Sequence, residues 1–287
     1  MKTVKKVPAK PNGLYGGLTD DLYHAHRDSL SQSGAKTLLR APALYRYELD
    51  HPTTKRAFDL GHYAHAKVLG VGAEVVPLLR TDPKSGEQWE ADSFSSPSVG
   101  KHAEEIRAAG QIPLLRKEIE QVDAMADKLA EHRLAMRLLS DGDPEVSAFA
   151  KDDETGVLRR ARFDWLAPAI VSDYKTADSA DPDAFVRAAI NHGYHIQQPW
   201  YLQVLADLGH DASAFAFIVQ EKKPPYLVTV VELPADLVAK GARLARTALQ
   251  RYRDCTESGL WPGYVPDDTF AQPAAPGWAL RDEETAA

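Results

Sequence analysis

Cysteine is nearly absent. Cys255 is the single one in 287 residues, which excludes an intrachain disulfide and any iron–sulfur cluster drawing several thiolates from one chain. An excess of positive charge is missing too: Lys+Arg number 34 against Asp+Glu 41, a net charge of −7. No bulk field therefore draws the chain to a polyanion or a membrane, and such a contact must rest on local basic groups. No apolar run reaches the ~18 residues of a membrane span. The start, MKTVKKVPAKP, carries charge without a following apolar stretch, unlike a signal peptide. The expectation is a soluble cytoplasmic chain with no membrane partner.

The length suits one large domain with a substantial core. Residues 1–17, with lysines, prolines and glycines, read as a flexible basic arm, and residues 266–287, with PDDTFAQPAAPGW and RDEETAA nearby, as a flexible acidic tail. The domain between them, 18–265, is helical over about 18–140. LSQSGAKTLLR offers Ser31 or Ser33 as a helix cap, RAFDLGHYAHAKVLG has helical spacing, and PLLRKEIEQVDAMADKLAEHRLAMRLLS reads as one long amphipathic run. TDPKSGEQWEADSFSSPSVG reads as a loop. A sheet core occupies about 144–260. EVSAFAK, VLRRARFDWLA and AIVSDYKTA are strand-like, and two helices follow around a break at His192-Gly193. Two more strands, SAFAFIVQEK and YLVTVVEL, precede a last helix from Pro234 to Glu257. The order predicts an α/β fold: a mixed central sheet flanked by helices, with a helical N-terminal half.

RARFDWLAPAIVSDYKTA holds the charges that need explaining. In a strand, residues two apart share a face, so Asp173 and Lys175 project together. A turn centred on Pro168-Ala169 puts Asp164 opposite Asp173 and Arg162 opposite Lys175, with the carboxylates roughly 5 Å apart at Cβ. Like charges that close repel unless a cation lies between them. A hard divalent ion such as Mg²⁺, which takes oxygen ligands, resolves the repulsion. Lys175 can then steer a water or stabilise charge growing on a phosphate oxygen. The triplet reads as phosphodiester hydrolysis; the alternative is a solvated strand face carrying a common Asp-x-Lys pattern.

Other positions support that chemistry. His65 sits on the inward face of its helix with Phe58, Gly61 and Leu69 and can complete a metal site as a neutral imidazole. It can equally be a core histidine, and His62 competes with it. Gln197 and Tyr201, four apart, share a helix face and can both donate to phosphate oxygens, or simply pack. Glu145 reads as a plain strand-edge residue, with an outer carboxylate as the alternative. Arg159, Arg160, Arg162, Lys222 and Lys223 are the local basic groups a DNA contact requires, or solvated strand ends.

Taken in order, LSQSGAKTLLRAPALYRYE, LGHYAHAKVLG, RARFDWL, IVSDYKTA, GYHIQQPWYL, QEKKPPY and GLWPGY resemble the RecE-like exodeoxyribonucleases of exonuclease VIII type. These form a phage and prophage branch of the PD-(D/E)xK nuclease superfamily, and the likeness spans residues 18–265. It implies a restriction-endonuclease-like core with an active centre of His65, Asp164, Asp173 and Lys175. His65, Asp164 and Asp173 would hold Mg²⁺, with Mn²⁺ as the alternative ion. In that family the equivalents of Gln197 and Tyr201 form a further motif on the following helix, and here Gln197 and Tyr201, with the local basic groups Arg160, Arg162 and Lys222, are the expected DNA contacts. The implied activity digests one strand of linear duplex DNA from its 5′ ends, for use in recombination. The implied partners are duplex ends, a strand-annealing recombinase and further copies of the chain in a ring. Phe163 stands where the superfamily label has proline, a position at which that proline is often absent.

Overall fold

A computed structural model of the chain describes residues 2–3, 7–8, 11–51, 57–265 and 267–277. Chain order runs β1 (Lys2–Thr3), β2 (Gly13–Gly16), α1 (Asp20–His24), β3 (Leu30–Ser31), α2 (Gln32–Arg40), α3 (Pro42–Asp50) and α4 (Ala57–Leu69). Next come β4 (Val75–Pro77), β5 (Leu79–Thr81), β6 (Gln88–Glu90), α5 (Pro97–Ala108), β7 (Ile112–Leu114), α6 (Arg116–Ala130) and α7 (Arg133–Leu138). The remainder is β8 (Asp143–Lys151), β9 (Leu158–Leu166), β10 (Ile170–Ala177), α8 (Pro182–His192), α9 (Tyr194–Asp207), β11 (Ala214–Glu221), β12 (Val228–Val231) and α10 (Ala235–Ser258).

The main sheet has the order β1-β2-β8-β9-β10-β11-β12, with β3 paired to β9. β8, β9 and β10 form an antiparallel meander, whereas β10 and β11 run parallel, joined by the α8–α9 crossover. A strand covered on both faces must be apolar on both, and β10 is: Val171 enters one core and Tyr174 the other. The first core stacks Leu38 of α2, Trp200 and Leu205 of α9 and Leu249 of α10 against Phe163 and Phe217. On the opposite face, Tyr63 and Ala64 of α4 and Val122 of α6 pack on Tyr174 and Ile218. α4 and α9 therefore approach the same strand from its two sides.

Local signals account for the boundaries. The Ser31 hydroxyl accepts the Gly34 N–H at 3.1 Å and caps α2. Gly193, with φ of 78°, ends α8 and starts α9 in a left-handed conformation that costs glycine little.

Four expectations need correction. The flexible arm over 1–17 is in part sheet: β2 pairs with β8, and Tyr15 is buried against Phe149. Residues 1, 4–6 and 9–10 lie outside the described residues, as do 266 and 278–287 of the expected tail. The long amphipathic run is broken into α6 and α7, because the His132 ring accepts the Ala135 N–H at 3.2 Å and starts a new helix. The expected loop after Thr81 contains β6, paired with β5, and ends in the start of α5. The N-terminal half also carries a parallel β4–β7 pair. The Phe58 side chain, expected beside His65, lies outside the described ones. Among the described residues no helix is long and apolar enough to cross a membrane.

The helix crossing of α9 and α10 depends on one missing side chain. A Cβ on Gly241 would lie 1.6 Å from the His195 carbonyl oxygen, a backbone atom that cannot swing away. Gly241→Ala is expected to destabilise the protein by about 2 kcal/mol or more, read as a lower urea midpoint; an unchanged midpoint would show that the crossing is not tight.

Candidate active site

The site forms where β9 and β10 part. Val171 pairs with Leu166 and Ser172 with Trp165, so the register carries Asp173 to the position opposite Asp164. The ladder stops before that pair. The Tyr174 N–H instead donates to Asp164 Oδ2 at 2.9 Å, so a side chain does the work of the missing backbone partner. The two carboxylates are consequently held from different sides. Asp164 Oδ2 lies 3.4 Å from His65 Nδ1 on α4. Asp173 accepts from Gln197 Nε2 on α9 at 2.6 Å and pairs with Lys175 Nζ at 2.5 Å.

Burial governs the electrostatics. Desolvation raises Asp173 to about 6, and the neighbouring Asp164 charge adds to the shift. Asp164 also rises to about 6 by desolvation, against the pull of Lys175. Desolvation and the Lys175 charge lower His65 to about 4, so its imidazole is neutral at pH 7. Lys175 is desolvated, but the Asp173 and Asp164 charges outweigh this and raise it; its ammonium lies 4.9 Å from the Tyr194 ring centre. The His65 ring packs edge-on against Tyr174, with centroids 5.3 Å apart.

His65, Asp164, Asp173 and Lys175 are thus brought together. The other expected residues serve other contacts. Gln197 is buried and its amide donates to Asp173. Tyr201 stacks edge-on against Phe163 at 5.1 Å. Arg160 is buried and donates to the Ser29 carbonyl at 3.2 Å and to the His26 carbonyl, anchoring the N-terminal segment. Arg162 does not face Lys175; it pairs with Glu145 and with Asp20 of α1. Lys222 pairs with Asp178 at 2.8 Å on the rim of an open groove of about 710 Å³ that also includes Leu60, Lys117 and Lys223. Arg159 is buried against Asp207. His62 sits one turn before His65, and its electrostatic influence lowers the His65 pKa slightly further.

Glu145 is the residue read as a strand edge that the fold turns inward. Ligand atoms of His65, Glu145 and Asp164 lie within 4.8 Å of one another. Strand alternation carries no signal for it, because its backbone leaves the strand region with φ of 52°.

The family model for the PDDEXK-like domain of unknown function DUF3799 matches residues 31–267. The chain belongs to this family. No curated protein matches it. Among solved structures, a candidate exonuclease from Eubacterium rectale superposes with TM-score 0.59 at 15% identity, covering 90% of this chain and 96% of that one. At that identity the likeness establishes the fold, a mixed sheet flanked by helices. A phage-related exonuclease from Haemophilus somnus 129PT covers 83% of this chain and 99% of its own at 10% identity, with TM-score 0.31. LHK-Exo in complex with dAMP covers 84% and 97% at 11% identity, with TM-score 0.32. Superpositions that loose carry no weight. Family and fold are those of a nuclease.

PD-(D/E)xK nucleases depend on divalent metal, and the donor set fits one. A neutral imidazole and carboxylates gathered at ligand distance are hard-to-borderline donors. Burial makes the charged forms of Asp164 and Asp173 costly, and a divalent cation would offset that cost.

The same values set a pH dependence. A carboxylate raised from 3.8 to about 6 contributes stability that is complete below its ordinary pKa and lost as pH rises through about 6. Asp164→Asn removes that loss. In EDTA, its thermal midpoint should exceed the wild-type one by roughly 5 °C at pH 7.5 and converge with it near pH 4. A variant less stable than wild type by the same margin at both pH values would contradict the burial argument.

Proposed function

We propose that the protein is a divalent-metal-dependent exodeoxyribonuclease, of RecE-like type, that digests one strand of linear double-stranded DNA from 5′ to 3′. The observation that carries this reading is the meeting of Asp164, Asp173 and Lys175 at the parting of β9 and β10, with His65 closing the site from α4. A binding module gains nothing from buried carboxylates next to a polyanion. Mg²⁺ is the proposed ion, with Mn²⁺ as substitute, and His65, Asp164 and Asp173 would hold it.

When bound, the ion supplies charge neutralisation and Lewis-acid polarisation of a phosphate oxygen. The chain's own residues do the rest. Gln197 and Lys175 fix the Asp173 carboxylate from two directions, so it stays oriented without reorganising during the reaction. Lys175 stays protonated at working pH, and its ammonium can orient a water or stabilise the charge that grows on the phosphate. Tyr174 holds Asp164 through its N–H and the His65 ring through its own ring. The 3′ single strand left behind suits a strand-annealing recombinase in the cytoplasm. A homo-oligomeric ring around the duplex is part of the same proposal.

The test uses linear duplex labelled at either the 5′ or the 3′ end, with a covalently closed plasmid alongside. With Mg²⁺, the 5′ label should be released first, the plasmid should survive, and EDTA should stop the reaction. Asp173→Ala should lose roughly 100-fold or more in rate while keeping its circular dichroism spectrum. Full activity in that variant would overturn the reading; cleavage of the closed plasmid would redirect it to an endonuclease.

A further inference from the structure

β8 and β9 pair along their length, from Asp143 opposite Leu166 to Lys151 opposite Leu158, with one gap. The gap falls where Glu145 faces Asp164: Pro144 pairs with Trp165 and Val146 with Phe163, but the residues between do not pair. Glu145 is there in a left-handed conformation, φ 52°. Among the described residues only Tyr226 is a second non-glycine with positive φ. A glutamate so placed is strained, and such strain is usually found where a side chain must be re-aimed. A regular strand would have avoided it.

What the twist accomplishes is visible in the side chain. It brings the Glu145 carboxylate into the group with His65 and Asp164, within 4.8 Å. Arg162 Nε donates to Glu145 Oε2. A carboxylate has two oxygens, so an arginine that takes one leaves the other for an ion. Arg162 is itself set by Asp20 at 2.9 Å and lies over the Tyr23 ring at 5.8 Å. Its side chain is 18% exposed and that of Glu145 24%, so the pair is largely shielded from solvent.

We infer that Glu145 is a third protein ligand on the α4 side of the divalent-metal site, and that Arg162 is a positioning residue that aims it. The inference rests on the metal-dependent reading above and adds to it a ligand and its support. Asp173, engaged by Lys175 and Gln197, then faces the ion from the α9 side.

The test measures Mn²⁺ binding by the free-ion electron paramagnetic resonance signal, without DNA and without turnover. Glu145→Gln should weaken Mn²⁺ binding at least about 10-fold, as Asp164→Asn does. Arg162→Gln should weaken it about 10-fold, and Arg162→Lys should recover part of the loss, a rescue that a purely structural arginine would not give. Should Glu145→Gln fail to fold by circular dichroism, Glu145→Asp carries the comparison, since shortening the arm withdraws the oxygen but keeps the charge. Mn²⁺ affinity within twofold of wild type in the glutamate variants, with Asp164→Asn impaired, overturns this assignment and leaves the nuclease reading standing. A wild-type protein that binds no Mn²⁺ overturns both.

Discussion

The carboxylate of Asp164 takes the place of a backbone acceptor, and the site is arranged around that substitution. A buried N–H must be satisfied. With the β9–β10 ladder ended after Ser172 and Trp165, the Tyr174 N–H turns to Asp164 Oδ2. This ties the depth of Asp164 to the backbone, which no rotamer change can undo without orphaning the donor. The parting also separates the fates of the two aspartates. Asp164 meets the helix on one face and Asp173 the helix on the other. Two carboxylates that would repel on one face instead converge on the gap between the strands.

Charge balance follows from the same geometry. Asp164, Asp173 and Glu145 face Lys175 and Arg162, while His65 is neutral and Arg162 is shared with Asp20. The protein therefore holds more negative than positive charge in a place with little water. Such an arrangement costs stability unless a further cation arrives. The upward shifts of Asp164 and Asp173 come first from desolvation, with neighbouring carboxylate charge adding to them. An entirely protein-made balance, with one more arginine, would be more stable and would leave no room for an ion.

Much of this was legible in the sequence, for identifiable reasons. β8, β9 and β10 announce themselves by apolar content and by the turn at Pro168-Ala169, and two-residue periodicity correctly links Asp173 with Lys175. The hairpin register follows from the turn. What periodicity cannot show is where a ladder stops or a backbone dihedral changes sign. Periodicity therefore makes Glu145 a strand edge, and nothing in it shows that Arg162 pairs with Glu145. Gln197 has the right spacing but a different partner: the helix face it shares with Tyr201 points into the sheet, not toward solvent. Arg160 shows the same limit, since basic residues in a strand look alike whether they meet phosphate or the carbonyls of a distant segment.

Tyr174 explains how strained and uncompensated groups are tolerated. Its N–H holds Asp164, its ring lies under His65, and its hydroxyl donates to Gln220 Oε1 at 2.6 Å. Gln220 in turn donates to the Met125 carbonyl of α6 at 2.8 Å. Tyr174 and Gln220 are both almost fully buried, so this chain of contacts is locked by packing. It connects the open end of the β9–β10 pair to the core under α4 and α6. A dense core can hold an unfavourable local arrangement that a loop could not, because relaxing it would require several packed side chains to move together. The apolar packing of the second face is thus a condition of the chemistry, and it falls on a residue, Tyr174, that bears no catalytic group of its own.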